Sequence, residues 1–348
     1  MIRNVLGYWG VLVCALCAEP AVISLPTANQ HLFGDEPEKF YMYVNRTFEG
    51  ETSKPWEGGS FGYVRSPLRV GGKLVMSRFH EGIDIAPVKR DKAGNPLDLV
   101  MSISGGRVVH TSPISGRSNY GKYVVVEHDW ENSKVYSLYA HLSTVTAKVG
   151  DAVNAGSVLG RMGYTGAGLN RTRAHVHLEL GLQMSTRYGS WHDHNFGSAN
   201  YHGNFNGMNI AGVDIAGFFL ERRKNPELKF SEFVLSRPMQ FKVTVPAGAA
   251  EPEFLSRYPW MRRKGVPDHV SWEVGFAATG HVISFTPSKR KVSAPVVSHL
   301  RPSDIPQRWL TRGLLTGEGN SASLSAGGKK LVSLVLDSFP IVEAASTR

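Results

Sequence analysis

The stretch Arg173-Ala174-His175-Val176-His177-Leu178-Glu179-Leu180 alternates polar and apolar residues along its whole length. That is the period of a half-buried β-strand, not of a helix. Residues i and i+2 of a strand point to one face, so His175 and His177 project together and Val176 projects away. Two imidazoles fixed side by side on a strand are ordered before any ligand arrives, which makes them a start on a metal site. The alternative for this triplet taken alone is two unrelated histidines on a solvated face. Donors elsewhere in the chain have to decide between the two.

The surrounding sequence is also strand-like. Arg107-Val108-Val109-His110 and the run from Lys122 to His128 are rich in β-branched residues, with turn chemistry at Ser115-Gly116 and Ser118-Asn119-Tyr120-Gly121 between them. The run from Val135 to Leu142 alternates and ends beside His141, and Gly156, Gly160, Gly163, Gly166 and Gly168 punctuate the approach to the His175 strand. No amphipathic helical pattern of useful length appears between Arg107 and Leu182. Short strands joined by Gly-rich turns predict an antiparallel sheet or sandwich. Upstream, His80 and Asp84 stand four apart, but Gly82, Ile83 and Ile85 argue for a loop entering a strand, whose bend brings the pair together. This is not the helical two-histidine zinc motif, because the position four after His80 is Asp84.

The N-terminus constrains which metal donors are available. Arg3 precedes an uncharged apolar run from Val5 to Ala18, the pattern of a secretory leader, with cleavage expected after Ala18. The run is shorter than the roughly 20 apolar residues of a membrane span. A retained anchor and a lipid-bearing Cys17 are the alternatives, the second opposed by bulky Leu16. Both cysteines, Cys14 and Cys17, fall inside the leader. The exported chain would then have no disulfide and no thiolate ligand, so a metal must be held by His, Asp and Glu. With 39 Lys and Arg against 29 Asp and Glu, the net charge is +10, which favours anionic surroundings: nucleic acid, acidic lipid or a wall polymer.

Five motifs in order now resemble one family, the lysostaphin/LytM-type zinc metallopeptidases. His80-Glu81-Gly82-Ile83-Asp84 resembles its HxxxD motif, and Tyr139-Ala140-His141-Leu142 its YxHL segment. The run from Gly150 to Gly160 is similar to its GDxVxxGxxLG turn, and His175-Val176-His177 to its HxH motif. Phe61-Gly62 with Arg65 resembles its FGxR motif with one extra residue. The resemblance runs from about Gly58 to Leu182. It implies a Zn2+ ion bound by His80, Asp84 and His177, with His141 and His175 as the catalytic pair. Two imidazoles and a carboxylate suit zinc and leave a fourth position for water, and imidazole titrates in the range that proton transfer needs. Two departures flank the expected groove: Val88 to Leu97 replaces a short turn, and Arg173-Ala174 replaces a small Gly-containing step. Both bear on substrate preference more than on the metal.

His110 and His128 read as sheet-surface residues at strand ends. Trp191-His192-Asp193-His194, with His202, reads as a groove-lining or solvated loop in preference to a second metal cluster. The run from Val213 to Arg223 predicts a short helix closed by Asn225-Pro226. Beyond it, Val270–Phe276 and His281–Phe285 predict a strand pair, Pro306–Leu310 a helix start and Lys330–Leu336 a strand. Arg262-Arg263-Lys264 and Lys289-Arg290-Lys291 are basic runs, read as a solvated face or as wall-polymer contacts.

The expected fold class is mainly β: a compact antiparallel β-sheet metallopeptidase core followed by a small α+β C-terminal domain. The expected division is a leader at 1–18, a lead-in at 19–57, the metallopeptidase domain at 58–224 and the C-terminal domain at 225–348. The leader predicts an exported, periplasmic or extracellular protein, and the resemblance implies an enzyme that cleaves peptide bonds in peptidoglycan stems or cross-links. Its basic surface would touch anionic wall polymer, with no nucleic-acid partner and no stable membrane insertion once the leader is removed. The rival readings are a catalytically silent regulator or wall-binding protein of the same fold and a secreted protease for protein substrates.

Overall fold

The structure is a computed structural model that describes residues 21–248 and 250–340. The expected leader, with Cys14 and Cys17, lies outside the described residues. Among the described residues no helix is long and apolar enough to cross a membrane.

The fold is mainly β. A nine-stranded antiparallel sheet draws its strands from residues 83–212. The strand Val176–Gln183 runs antiparallel against Ser133–Val145 on one side and against Ile83–Ile85 and Ile210–Gly212 on the other. The alternation places Val176, Leu178, Leu180 and Leu182 in the apolar core. Its polar face is not open to solvent, however, and every residue from Val176 to Gln183 is buried. The half-buried expectation fails here because Tyr120 and the loop around Gly207 close over the polar face, joined by a hydrogen bond from Gly207 N to the Tyr120 hydroxyl.

Within the expected lead-in, residues 21–57 pack onto the main core. Leu25, Leu32, Phe40 and Tyr41 are buried in the main core. Met42 N donates to the Asp84 carbonyl (2.8 Å) and Ala86 N to the Phe40 carbonyl (2.9 Å), so this segment holds the short strand that carries Asp84. Two long strands, Gly62–Val70 and Lys73–His80, form a hairpin that ends at His80.

Beyond Lys224 a four-stranded antiparallel sheet takes the order Val282–Ser288, Ser271–Ala277, Met239–Pro246, Val296–Leu300. The expected strand pair is its first two members. A helix at Ile215–Lys224 and one helical turn at Gln307–Leu310 stand where the sequence predicts them. Lys330–Leu336 is not a strand; it lies in the helix Ala326–Val335 with one residue beyond it. The Ser325 hydroxyl caps that helix by accepting from Gly328 N (3.1 Å). Gly328, Val332 and Val335 are buried at helical spacing, and a short apolar run does not by itself distinguish the two periods. One contiguous apolar cluster runs from Leu25 to Val335. The Tyr258 hydroxyl accepts from Gln183 N (2.8 Å) and donates to the Lys134 carbonyl (2.8 Å), fastening the second sheet to the first.

Candidate metal centre and active site

Cross-strand register builds the centre. His177 sits directly opposite Asp84 in the antiparallel pair, where side chains on one face meet. His80 ends the preceding hairpin, and Glu81-Gly82 turns the chain back so that Asp84 arrives beside it. Gly82 is required by space: a Cβ there would lie 2.4 Å from the Leu178 carbonyl oxygen and 3.0 Å from His177 Cε1. The three side chains form a group whose ligand atoms all lie within 4.8 Å of one another. His177 Nδ1 is 2.9 Å from Asp84 Oδ1, His80 Nε2 is 3.2 Å from the same oxygen, and the two nitrogens are 3.1 Å apart. Zinc bonds of about 2.0–2.1 Å to tetrahedral ligands separate those ligands by roughly 3.3 Å. The spacing and the nitrogen–nitrogen–oxygen donor set therefore fit a zinc ion.

Each imidazole is oriented from behind. His80 Nδ1 donates to the Ser60 carbonyl (2.8 Å), which turns Nε2 inward. His177 Nε2 donates to Glu179 Oε1 (3.0 Å), which turns Nδ1 inward. Such outer partners fix the tautomer of a metal-binding histidine and raise its basicity. Arg65 holds Asp84 Oδ2 at 2.6 Å while donating to the Gly58 carbonyl at 2.7 Å, leaving Oδ1 to face the histidines. Burial pushes the Asp84 carboxyl up, but the charges of His80 and His175 and hydrogen bonds from His175 and His177 hold it well below the usual range. Burial would lower His177, yet its hydrogen bonds to Asp84 and Glu179 push it up to about 10. Two carboxylates thus favour positive charge on this imidazole, and a proton and a metal ion compete to supply it.

His175 and His141 complete the cluster. His175 Nδ1 donates to the Arg173 carbonyl (2.7 Å), and its Nε2 lies 3.3 Å from Asp84 Oδ1. His141 Nδ1 donates to the Thr165 carbonyl (2.8 Å), and its ring centre is 4.7 Å from that of His175. A β-bulge aims His141. Lys122 pairs with Leu142 and Val124 with Tyr139, so Ala140 and His141 stand opposite Tyr123 alone. His141 takes φ 64°, a left-handed conformation uncommon outside glycine. Bulges of this kind re-aim side chains beside active sites. Burial and the neighbouring His175 and His177 hold the His141 imidazole well below its ordinary value, which keeps it neutral.

All five residues expected from the sequence therefore meet in one place, at the floor of a groove of about 590 Å³. Sequence reasoning assigned no role to Glu179, although it stands two residues after His177 on the same face, so the alternation contained the signal. Tyr120, which donates to Glu179 Oε1 at 2.6 Å, left no trace in the sequence. Glu81 also lines the groove. Burial pushes its carboxyl up, but the charges of His177 and Arg312 outweigh that and lower it.

The other histidines stand apart. His128 is not a sheet-surface residue at a strand end. It lies inside the strand Lys122–Trp130, fully buried, between the Gly105 carbonyl and the Ser137 hydroxyl at 2.7 Å each. His110 lies within the strand Gly106–Ser112, packed on Tyr123 and Phe205. Residues 191–194 are not a loop but part of the helix Tyr188–Asn195, with Trp191 and His192 buried. His202 meets the Tyr123 hydroxyl at 2.8 Å.

Comparison with known proteins agrees with the motifs. Residues 78–187 match Peptidase family M23. This segment is an M23 metallopeptidase domain. Lysostaphin of Staphylococcus staphylolyticus is 33% identical over 122 residues, which are 34% of this chain and 21% of that protein. The chain thus spans about a fifth of the length of the curated relative it matches. Among solved structures, a point mutant of the catalytic domain of a prophage-encoded M23 protein, EnpA, from Enterococcus faecalis is 25% identical, with 40% of this chain and 80% of that one covered and a TM-score of 0.25. The catalytic domain of lysostaphin from Staphylococcus simulans is 24% identical with the same coverage and a TM-score of 0.26. M23 peptidases are zinc enzymes, and zinc is the cofactor of the M23 domain, whose His80–Asp84–His177 group fits it.

Proposed function

We propose that the protein is an exported zinc metalloendopeptidase that hydrolyses peptide bonds in peptidoglycan stems or cross-links. The observation that carries this reading is the convergence of His80, Asp84 and His177, each braced from behind, with His141 and His175 at the floor of one groove. In this reading His80 Nε2, Asp84 Oδ1 and His177 Nδ1 hold the metal. Zinc, when bound, lowers the pKa of a water molecule to near 7 and polarises a carbonyl. His141 and His175 are outside the ligand set and each turns Nε2 toward the groove. One accepts a proton at Nε2 as the nucleophile forms; an imidazole there then donates to the developing oxyanion and returns the proton to the leaving amine. The neutral state of His141 suits it to accept. Arg65 keeps the Asp84 carboxylate turned to the site, and Glu179 with Tyr120 keeps His177 in the ligating tautomer.

Export is supported by the leader-like N-terminus. The net charge of +10 and the two exposed basic runs at 262–264 and 289–291 suit an anionic wall. The test is metal analysis beside release of fragments from purified peptidoglycan. His80→Ala, Asp84→Ala and His177→Ala are expected to lose zinc and activity together. His141→Ala and His175→Ala are expected to keep zinc and lose about 10²-fold or more in turnover. A His175→Ala protein without zinc beside a His177→Ala protein with it would reverse the assignment. Full activity in either catalytic variant would end the mechanism.

A further inference from the structure

The groove over the M23 centre carries an unusual balance of charge. Arg46, Arg65, Arg78, Arg173 and Arg312 line it, against two acids, Glu81 and Asp84. These arginines come from five separate places: Arg46 opens the strand Arg46–Phe48, Arg65 and Arg78 lie on the two strands of the long hairpin, Arg173 closes the 3-10 turn before His175, and Arg312 follows the turn Gln307–Leu310. Two of the five are accounted for. Arg65 is bound to Asp84 at 2.6 Å, and the charge of Arg312 acts on Glu81.

Arg46, Arg78 and Arg173 remain. Among the described residues none of the three makes an ion pair, although Arg69 on the same hairpin is matched by Glu49 at 2.8 Å. Arg173 donates through Nη1 to the Gly168 carbonyl (2.6 Å), but its buried Nε has no partner. Arg46 lies within electrostatic reach of the other two: burial first, then the charges of Arg65, Arg173 and Arg78, lower its guanidinium below its ordinary value. Like charges gathered in a cleft repel one another, and the cleft focuses their field on whatever enters it. Guanidinium pairs carboxylate in a planar, two-bonded geometry.

We propose that Arg46, Arg78 and Arg173 form a carboxylate-recognising subsite along the groove, so that the preferred substrate is a peptide bearing free carboxylates beside the scissile amide, not an uncharged chain such as oligoglycine. The inference rests on the reading of the groove as a peptidase site and specifies its substrate class. It gives a role to the Arg173-Ala174 step, one of the two departures from the family pattern that touch substrate preference. It also separates the groove from the basic runs at 262–264 and 289–291, which lie outside its lining.

The test uses two synthetic peptides of one sequence, with carboxylates free or converted to carboxamides, and a neutral glycine peptide. Binding is measured by calorimetry on chelator-treated protein at low and high salt, and kcat/KM on the zinc-loaded protein. The free-acid peptide is expected to be favoured over its amide by about 10-fold or more, the scale of a charge-assisted hydrogen bond, and the preference should shrink with added salt. In the Arg46→Gln/Arg78→Gln double variant, both positions being exposed, the preference should collapse toward one. Arg290→Gln, outside the groove, should retain it. Thermal unfolding confirms that the variants are folded. Equal binding and cleavage of acid and amide, or a preference that survives in the double variant, overturns the subsite. Failure to cleave any peptide or purified peptidoglycan would count against the peptidase reading instead, and the binding arm would still decide the subsite.

Discussion

Glu179→Gln tests whether the centre depends on the charge behind His177. Glu179 is fully buried, and its Oε1 accepts from His177 Nε2 at 3.0 Å and from the Tyr120 hydroxyl at 2.6 Å. Glutamine keeps both acceptor contacts through its amide oxygen, so on the side facing His177 the change removes the charge alone. The carboxylate oxygen is 3.0 Å from Nε2, and the ring adds about 2 Å, which puts the charge roughly 5 Å from the donor atom Nδ1. A unit charge pair at that distance is worth at most about 3 kcal/mol at an effective dielectric of about 20. Outer partners of metal ligands are worth about 10- to 100-fold in affinity, or about 1.4 to 2.7 kcal/mol, inside that bound. Zinc affinity, measured by competition with a chromophoric chelator, should therefore fall about 10-fold in Glu179→Gln and toward 100-fold in Glu179→Ala, which loses the hydrogen bonds as well. The new amide N–H replaces Oε2, an atom without a partner, so a stability cost of about 1–3 kcal/mol is expected and is read separately by denaturant unfolding. Zinc affinity within twofold of wild type in both variants would refute the argument that Glu179 tunes the centre.

Folding stability should depend on pH through histidines that take no part in the site. Burial pulls His128 and His281 down to about 4 from an unfolded value near 6.5. Their contribution is full above about pH 6.5 and is lost as pH falls toward about 4, at most about 3 kcal/mol each. A denaturant midpoint constant from pH 7 to 4, or a slope that His128→Gln leaves unchanged, would contradict this. Gly82→Ala places a Cβ 2.4 Å from the Leu178 carbonyl oxygen and 3.0 Å from His177 Cε1; it should lower both zinc content and melting temperature, and normal zinc content would mean that the turn has slack. Ending the chain at Lys224 removes Tyr258 from Gln183 N and the Lys134 carbonyl and uncovers the shared core. The fragment should unfold at lower temperature or aggregate, and a fragment melting like the full chain would show that the two sheets fold independently.

What the sequence made legible was periodic or motif-bound. The alternation at 173–180 and the Gly82 bend between His80 and Asp84 are local patterns, and local patterns carry their own geometry. His141 is different. Its motif gave its place in the chain, but its aim depends on a bulge and a left-handed backbone, both set by pairing with residues 122–124. Tyr120 and Arg65 act through contacts 59 and 19 positions away, which no window of sequence displays. The apolar run at 330–336 suits either period, and the Ser325 cap that decides for a helix is a single residue. Residues 21–57 show no period because they form only short 3-10 turns and three-residue strands joined by loops, and they hold the sheet through isolated backbone bonds such as Met42 N to the Asp84 carbonyl.

The texture of the sequence changes after residue 224, but the groove does not respect that boundary. Arg312 comes from the C-terminal unit and lines the groove beside His80 and Glu81. Its backbone N donates to the Tyr63 hydroxyl at 2.5 Å, its guanidinium lies 4.8 Å from the centre of the Phe79 ring, and its Nη1 reaches the Thr279 carbonyl at 3.3 Å. Phe79 directly precedes His80, so a residue of the second unit packs on the strand that presents a metal donor. Arg312 takes φ 55°, a strained choice for a non-glycine residue, and such strain persists only where surrounding contacts over-determine it. The second unit therefore does more than add a basic surface at a distance: it supplies part of the groove wall and the cation that faces Glu81. Any account of what this M23 domain accepts has to include residues on which the family motifs are silent.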